Sequence, residues 1–222
     1  MPRHRGGGSD PVIALHGYWR STASYRVRIA LGLKGLDYRQ VTHDLRTGAQ
    51  RRESFVALSP QGLVPAVEAD GAILTQSLAI IEWLDEQWPE PPLLPADPVG
   101  RATARAMAQL IACDIHPLNN LRVLTKLREQ FGADEAQVGQ WIAGWIEEGF
   151  AALETLVARH GGQFAYGDEP GIADCCLVPQ LYSAERFKVD VSRFPHLLAV
   201  AERAGHLKPF RQAAPAAQPD AD

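Results

Sequence analysis

A small α/β domain with a mixed four-stranded sheet, followed by an all-helical domain, is the fold class this sequence predicts. Three observations carry it. Within about the first ninety residues the strand and helix patterns run β-α-β-α-β-β-α. Residues 89–98 then concentrate five prolines, the composition of a linker. Everything beyond reads as helix, with no Val/Ile/Thr clusters of the kind that make strands.

The elements follow in order. An apolar strand over 12–16 runs into a turn holding Gly17, Arg20, Ser21 and Thr22. A helix begins at about Ser24, with good formers from Arg26 to Leu31 and with Gly32 and Gly35 marking its end. Residues 38–43 alternate enough for a second strand. The polar stretch 45–59 reads as a loop with a short helix around 51–58. Asp70-Gly71 between two short apolar runs signals a hairpin, so the sheet must be mixed. Pro65 at the head of a strand is tolerated only at a strand start, bulge or edge, and is a candidate cis residue. Ser77 is the candidate N-cap of the next helix, whose apolar residues are Leu78, Ile81, Trp83, Leu84 and Trp88 and which Pro89 stops. Helices are expected at 99–113, 119–130, 134–160, 172–187 and 195–204. The expected division is a leader at 1–10, an α/β domain at 11–89, a linker at 90–98, a helical domain at 99–212 and a tail at 213–222. The Ala/Pro-rich tail is expected to be disordered or loosely draped.

Composition narrows the function classes. The chain has 222 residues, 46% hydrophobic and 22% charged, as ordinary globular proteins do. A net charge of −4 without any basic run argues against nucleic acid as a partner. No apolar stretch approaches membrane-spanning length. Residues 1–10 are basic and Gly-rich but lack an apolar core, which fits a flexible leader or a mis-assigned start rather than a secretory signal. Cys113, Cys175 and Cys176 make neither a disulfide framework nor a zinc spacing, so metal is not expected and a reducing cytoplasm is. Cys175 and Cys176 lie in an apolar helical run and read as buried thiols. Trp141 and Trp145, at i and i+4, read as core.

The turn at 17–22 carries the chemistry. Backbone N–H groups at a helix N-terminus lack helical partners, and the helix dipole adds positive potential, so anions are favoured there. Ser21 and Thr22 add hydroxyls and Arg20 a guanidinium, equipment for stabilising a thiolate and holding a carboxylate beside it. Taken alone, Ser21 or Thr22 reads more readily as a simple helix cap, since caps are far commoner than active sites.

Motifs along the chain decide between these. R-S-T-A-S-Y-R-V-R-I-A-L resembles the signature of the zeta class of glutathione transferases, which includes maleylacetoacetate and maleylpyruvate isomerases. L-V-P-A-V, T-Q-S-L-A-I-I-E-W-L, L-L-P-A-D, C-D-I-H-P-L-N-N-L-R-V-L, I-A-D-C-C-L-V-P-Q and A-E-R-F-K-V-D match further, over roughly residues 12–220. The resemblance implies a thioredoxin-like N-terminal domain in the glutathione-transferase fold, glutathione as cofactor, and a homodimer through the helical domain. It implies that Ser21 hydrogen-bonds the glutathione sulfur, with Thr22 beside it. Val64 would pair with the cysteinyl backbone, with Pro65 cis, while Gln76 and Ser77 would take the γ-glutamyl carboxylate and Gln50 the glycyl end. His116 resembles a pocket histidine that binds glutathione or polarises an enolate oxygen; a capping or interdomain histidine fits its position equally.

The implied reaction is cis-trans isomerisation of a small cis-enedione acid. Glutathione thiolate adds to the double bond, the bond rotates, and elimination leaves the trans isomer. Arg20, Arg122 and Arg186 are the carboxylate candidates, since a guanidinium offers paired donors and stays charged; Asn120 accompanies Arg122 in the same motif. Maleylacetoacetate of tyrosine and phenylalanine breakdown is the first substrate candidate, and maleylpyruvate of the gentisate route the second. Transfer to α-halo acids or a non-catalytic member of the fold are further alternatives. Two positions depart from the family pattern. Ala23 replaces the signature cysteine, and Gly171 removes the side-chain half of the capping box that Asp174 would complete.

Overall fold

The computed structural model describes residues 13–222; the expected leader and the first residue of the expected first strand lie outside that range. Strand β1 (Ile13–Gly17), buried along its whole length, lies inside a four-stranded sheet of order β2-β1-β3-β4. It runs parallel to β2 (Tyr38–Thr42) and antiparallel to β3 (Ala66–Ala69), which pairs antiparallel with β4 (Ala72–Thr75). The mixture follows from the connections. A helical crossover returns β2 parallel to β1, whereas the two-residue turn Asp70-Gly71 forces β4 back along β3. Both turn residues have positive φ, +50° and +78°, as a type I′ hairpin turn requires.

Helix α1 (Thr22–Leu33) starts earlier than the expected Ser24, because Ser21 caps it. Gly32 does not end it. A Cβ there would come within 3.1 Å of the Pro209 Cβ, so this glycine lets two segments approach, and the chain leaves the helix at Gly35, φ +66°. After α2 (Glu53–Val56), helix α3 (Ser77–Gln87) corrects the expected cap. Ser77 is the first helical residue, and Gln76 holds the cap position with φ +68° and no capping side-chain bond. The reversal out of β4 is taken up by the Gln76 backbone, which frees the Ser77 hydroxyl.

The remainder is helical: α4 (Pro98–Gln109), α5 (Leu121–Phe131), α6 (Glu135–His160), α7 (Ile172–Arg186), α8 (Pro195–Gly205) and α9 (Lys208–Ala213). The helix expected over 99–113 ends at Gln109, opening into π-helical Leu110–Ile115 and then a 3-10 turn, His116–Asn119. Pro117 cannot donate an N–H to continue the α ladder, so the following helix begins at Leu121 and not at 119. Helix α9 was absent from the sequence reading.

The tail is the clearest correction. Residues 214–222 pack back on the α/β domain instead of draping loosely. Asp220 accepts from the Trp19 N–H at 3.1 Å and from Gln40 Nε2 at 2.6 Å, and Gln218 is buried, bonding the Gln212 and Ala214 carbonyls. The composition misled because distant side-chain hydrogen bonds, together with the buried Pro215, anchor this segment.

Cys175 and Cys176 are buried as expected. Asp174 supplies the remaining half of the capping box, accepting from Gly171 N at 2.9 Å, and also accepts from Ala165 N at 2.8 Å. Burial pushes its pKa up to about 6 against those donors. The apolar core is continuous from the sheet through α1 into α7, so the α/β layer and the helices share one interior.

Candidate active site

Two cavities, of about 320 and 180 Å³, open where the end of β1, the N-termini of α1 and α3, the 116–122 segment and α7 converge. They share Gln61, Leu63, Val64, His116, Asn120 and Arg122 in their walls. All twelve residues singled out in the sequence line one or both. The larger takes Arg20, Ser21, Thr22, Gln50 and Arg186; the smaller takes Pro65, Gln76 and Ser77; Val64, His116, Asn120 and Arg122 face both.

Ser21 resolves the choice between cap and functional hydroxyl by being both. Its oxygen accepts from Ser24 N at 3.2 Å, which uses a lone pair and leaves the hydroxyl proton free to point into the larger cavity. Gly17 makes room for this geometry, since a Cβ there would lie 3.2 Å from the Ser24 Oγ. Thr22 Oγ1 and His116 Nδ1 are 2.9 Å apart, tying the α1 N-terminus to the helical half. Burial, then the Arg26 and Arg122 guanidiniums, push the His116 pKa down to about 3, so the imidazole is neutral at ordinary pH.

At the smaller cavity the Val64–Pro65 peptide is cis, and the Val64 backbone makes no hydrogen bond among the described residues. Gln76 Nε2 donates to Gln61 Oε1 at 2.6 Å. Gln50 is 7% exposed with Oε1 unpartnered. Asn120 spends its Oδ1 on Arg122 N as the cap of α5, leaving only its amide N–H groups for a ligand.

The electrostatics are one-sided. Arg20, Arg46, Arg51, Arg122 and Arg186 line the larger cavity; Arg46 is paired with Asp44 and Asp222, and among the described residues no Asp or Glu lines either cavity, although the whole chain carries −4. Burial and repulsion from Arg20 hold the Arg186 pKa below its usual value, which places these two cations close together. Arg20 lies 5.2 Å over the Trp19 ring and Arg186 4.8 Å over Phe187, contacts that hold both guanidiniums in place.

Several lining residues escaped the sequence reading. Arg46 sits in a stretch legible only as polar loop, and Arg51 at the start of the short helix expected within it. Asn119 and Gln180 have every side-chain amide atom buried and unpartnered, Gln180 being 1% exposed. A charged pair inside an apolar helix, Arg26 and Arg28 around Val27, was the signal that could have pointed to buried arginines. Trp141 stays out of both cavities, donating to the Leu118 carbonyl at 2.9 Å and meeting Trp145 edge-on.

This fold and site define a class. Family models for the glutathione S-transferase N-terminal and C-terminal domains match residues 15–92 and 122–203. The chain is 53% identical over 209 residues to a maleylacetoacetate isomerase of Pseudomonas aeruginosa, covering 93% of this chain and 97% of that one. It superposes with a TM-score of 0.92 on the holo structure of a maleylpyruvate isomerase, described as a bacterial zeta-class glutathione transferase. That match has 50% identity and covers 94% of this chain and all of the other. A maleylacetoacetate isomerase from Methylobacterium extorquens, solved with bound malonate and GSH (glutathione), matches with a TM-score of 0.90 and 40% identity, covering 94% and 99% of the two chains. The chain belongs to the glutathione S-transferase family, in the zeta-class branch that holds the maleylacetoacetate and maleylpyruvate isomerases.

Proposed function

We propose that this chain is a glutathione-dependent cis-trans isomerase that converts maleylacetoacetate to fumarylacetoacetate. The observation that carries the reading is the larger cavity itself: Arg20, Arg51, Arg122 and Arg186, four arginines with no ion pair among the described residues, gathered beside the capped N-terminus of α1. A small dianionic acid fits that charge.

Glutathione fits the smaller cavity and its junction with the larger one. The free Val64 backbone can pair with an extended cysteinyl unit, Gln50 Oε1 is an acceptor in want of a donor, and Ser77 with Gln76 stands at the N-terminus of α3, where a carboxylate is favoured. When bound, it supplies the thiolate that adds reversibly to the cis double bond. Ser21 donates its free hydroxyl proton to the sulfur, and the α1 dipole favours the ionised thiol. Arg20 and Arg186 hold a substrate carboxylate and stabilise the negative charge that develops on the oxygens conjugated to the double bond. His116, neutral and tied to Thr22, orients polar groups without adding charge. Ala23 leaves the scheme intact, since the nucleophile belongs to the cofactor.

Maleylpyruvate is the second reading, favoured by Arg122, which faces both cavities and can reach a shorter keto acid. Loss of cis-enedione absorbance, followed for each substrate with and without glutathione, tests both. Glutathione-dependent turnover that falls sharply in Ser21→Ala and Arg20→Ala supports the mechanism, and the better substrate names the reaction. Glutathione binding without turnover of either overturns it. By the same reading the chain works as a homodimer in the cytoplasm. Three free thiols support the compartment, and light scattering of the purified protein checks the dimer. Among the described residues no helix is long and apolar enough to cross a membrane.

A further inference from the structure

Arg26 is 2% exposed, yet only one of its nitrogens has a partner: Nη1 donates to Ser77 Oγ at 3.3 Å, while Nε and Nη2 have none. No carboxylate pairs with it among the described residues, and its surroundings are Ser77, His116, two cysteines and the smaller cavity, whose wall it forms. A guanidinium does not give up its proton, so burying one unpaired is expensive. Two residues on, Arg28 is equally buried, but Nε, Nη1 and Nη2 all reach carbonyls, those of Ala213, Tyr18 and Trp19. The fold thus gives every nitrogen of one buried arginine a partner and leaves the other with two nitrogens unused beside an anion-favouring helix end.

We propose that Arg26 is a positioning residue for the cofactor: a buried counter-charge that acts through Ser77 on the γ-glutamyl carboxylate of glutathione. Arg26 occupies an acceptor lone pair of Ser77 Oγ, so the Ser77 proton is directed outward, toward the cavity and a ligand carboxylate. That carboxylate in turn compensates the cation that the apoprotein leaves unpaired. The proposal rests on the glutathione reading above. It has a consequence that a structural strut lacks: removing Arg26 weakens glutathione binding while leaving the empty protein as stable as before or more so.

The experiment measures glutathione affinity by titration calorimetry and Tm with and without glutathione, for the unaltered protein, Arg26→Met and Arg26→Lys. Arg26→Met is expected to keep or raise the ligand-free Tm and to weaken glutathione roughly ten- to hundredfold, the usual range for a charge-assisted contact. The KM for glutathione rises accordingly while kcat at saturation stays. Arg26→Lys, which keeps the charge, restores part of the affinity. A glutathione analogue amidated at the γ-glutamyl α-carboxylate is expected to bind the unaltered protein and Arg26→Met alike. Unchanged glutathione affinity in Arg26→Met, or a several-degree loss of ligand-free Tm with Arg26→Lys no better a binder, overturns the proposal alone. Failure of the unaltered protein to bind glutathione overturns the functional reading and the proposal with it.

Discussion

The two faces of α1 treat the same side chain in opposite ways. On the rear face Arg28 is a clamp: it gathers the Tyr18 and Trp19 carbonyls of the active turn and the Ala213 carbonyl of α9 into one fully satisfied site. On the front face, just over half a helical turn away, Arg26 keeps two unpartnered nitrogens and Ser21 an idle hydroxyl proton. The rear of this element is finished by the fold and the front is finished by a ligand. Unsatisfied buried polar groups in a native structure ask for an explanation, and here they concentrate where the cavities are.

Substitutions that disturb one face without the other test this division. The largest effect is expected at the front. Ser21→Ala removes the donor aimed at the sulfur and should lower kcat/KM roughly 10²- to 10³-fold, as loss of one preorganised donor does, with an elevated thiol pKa in the bound cofactor read from its ultraviolet absorbance. Stability should fall only by the cap contribution, about 1 kcal/mol. Next comes the rear. Arg28→Met strands three carbonyls and should cost about 3 kcal/mol in urea unfolding, with activity falling because the turn is no longer held. If it proves neutral in stability, the distinction between the faces is wrong.

A smaller effect is expected from Asp220→Ala, which releases the Trp19 N–H and Gln40 and should lower stability by about 1 kcal/mol. The smallest net effect is a pH dependence, in which two groups oppose each other. His116 has its folded pKa pushed down to about 3 from 6.5, so between those values the unfolded chain binds more protons. Its contribution to stability is therefore complete above about pH 6.5 and is lost as pH falls toward 3. Asp174, raised to about 6 from 3.8, acts in the opposite sense, its contribution being lost as pH rises through about 6. His116→Gln should flatten the acid limb of the urea midpoint measured from about pH 7.5 to about pH 5.

Legibility in the sequence divides along similar lines. Hydrophobic periodicity and turn residues gave the strand–helix order, the hairpin and the helical second half, because these are local properties. What escaped was set by distant partners. Gly32 looked like a helix terminator but accommodates Pro209, and the tail looked disordered but is held by Asp220 on Trp19 and Gln40. The π-helical stretch 110–115 carries no mark in the sequence, whereas the 3-10 turn after it is legible in Pro117. Of the site, the residues in matched motifs all reach the cavities. Arg46 and Arg51 carry no mark because a polar residue on a loop reads alike whether it meets solvent or a substrate, while Asn119 and Gln180 lie inside matched motifs that single out other residues.

The arginine-lined cavity also sets how the molecule behaves in solution. A concave site of one sign on a chain of the other focuses its field, so acidic ligands are drawn in faster than neutral ones of the same size. Mobile ions shorten that reach to about 8 Å at physiological ionic strength. Capture of substrate should slow as salt is added, and multivalent buffer anions such as phosphate or citrate should act as competitors, so an assay buffer is itself a ligand.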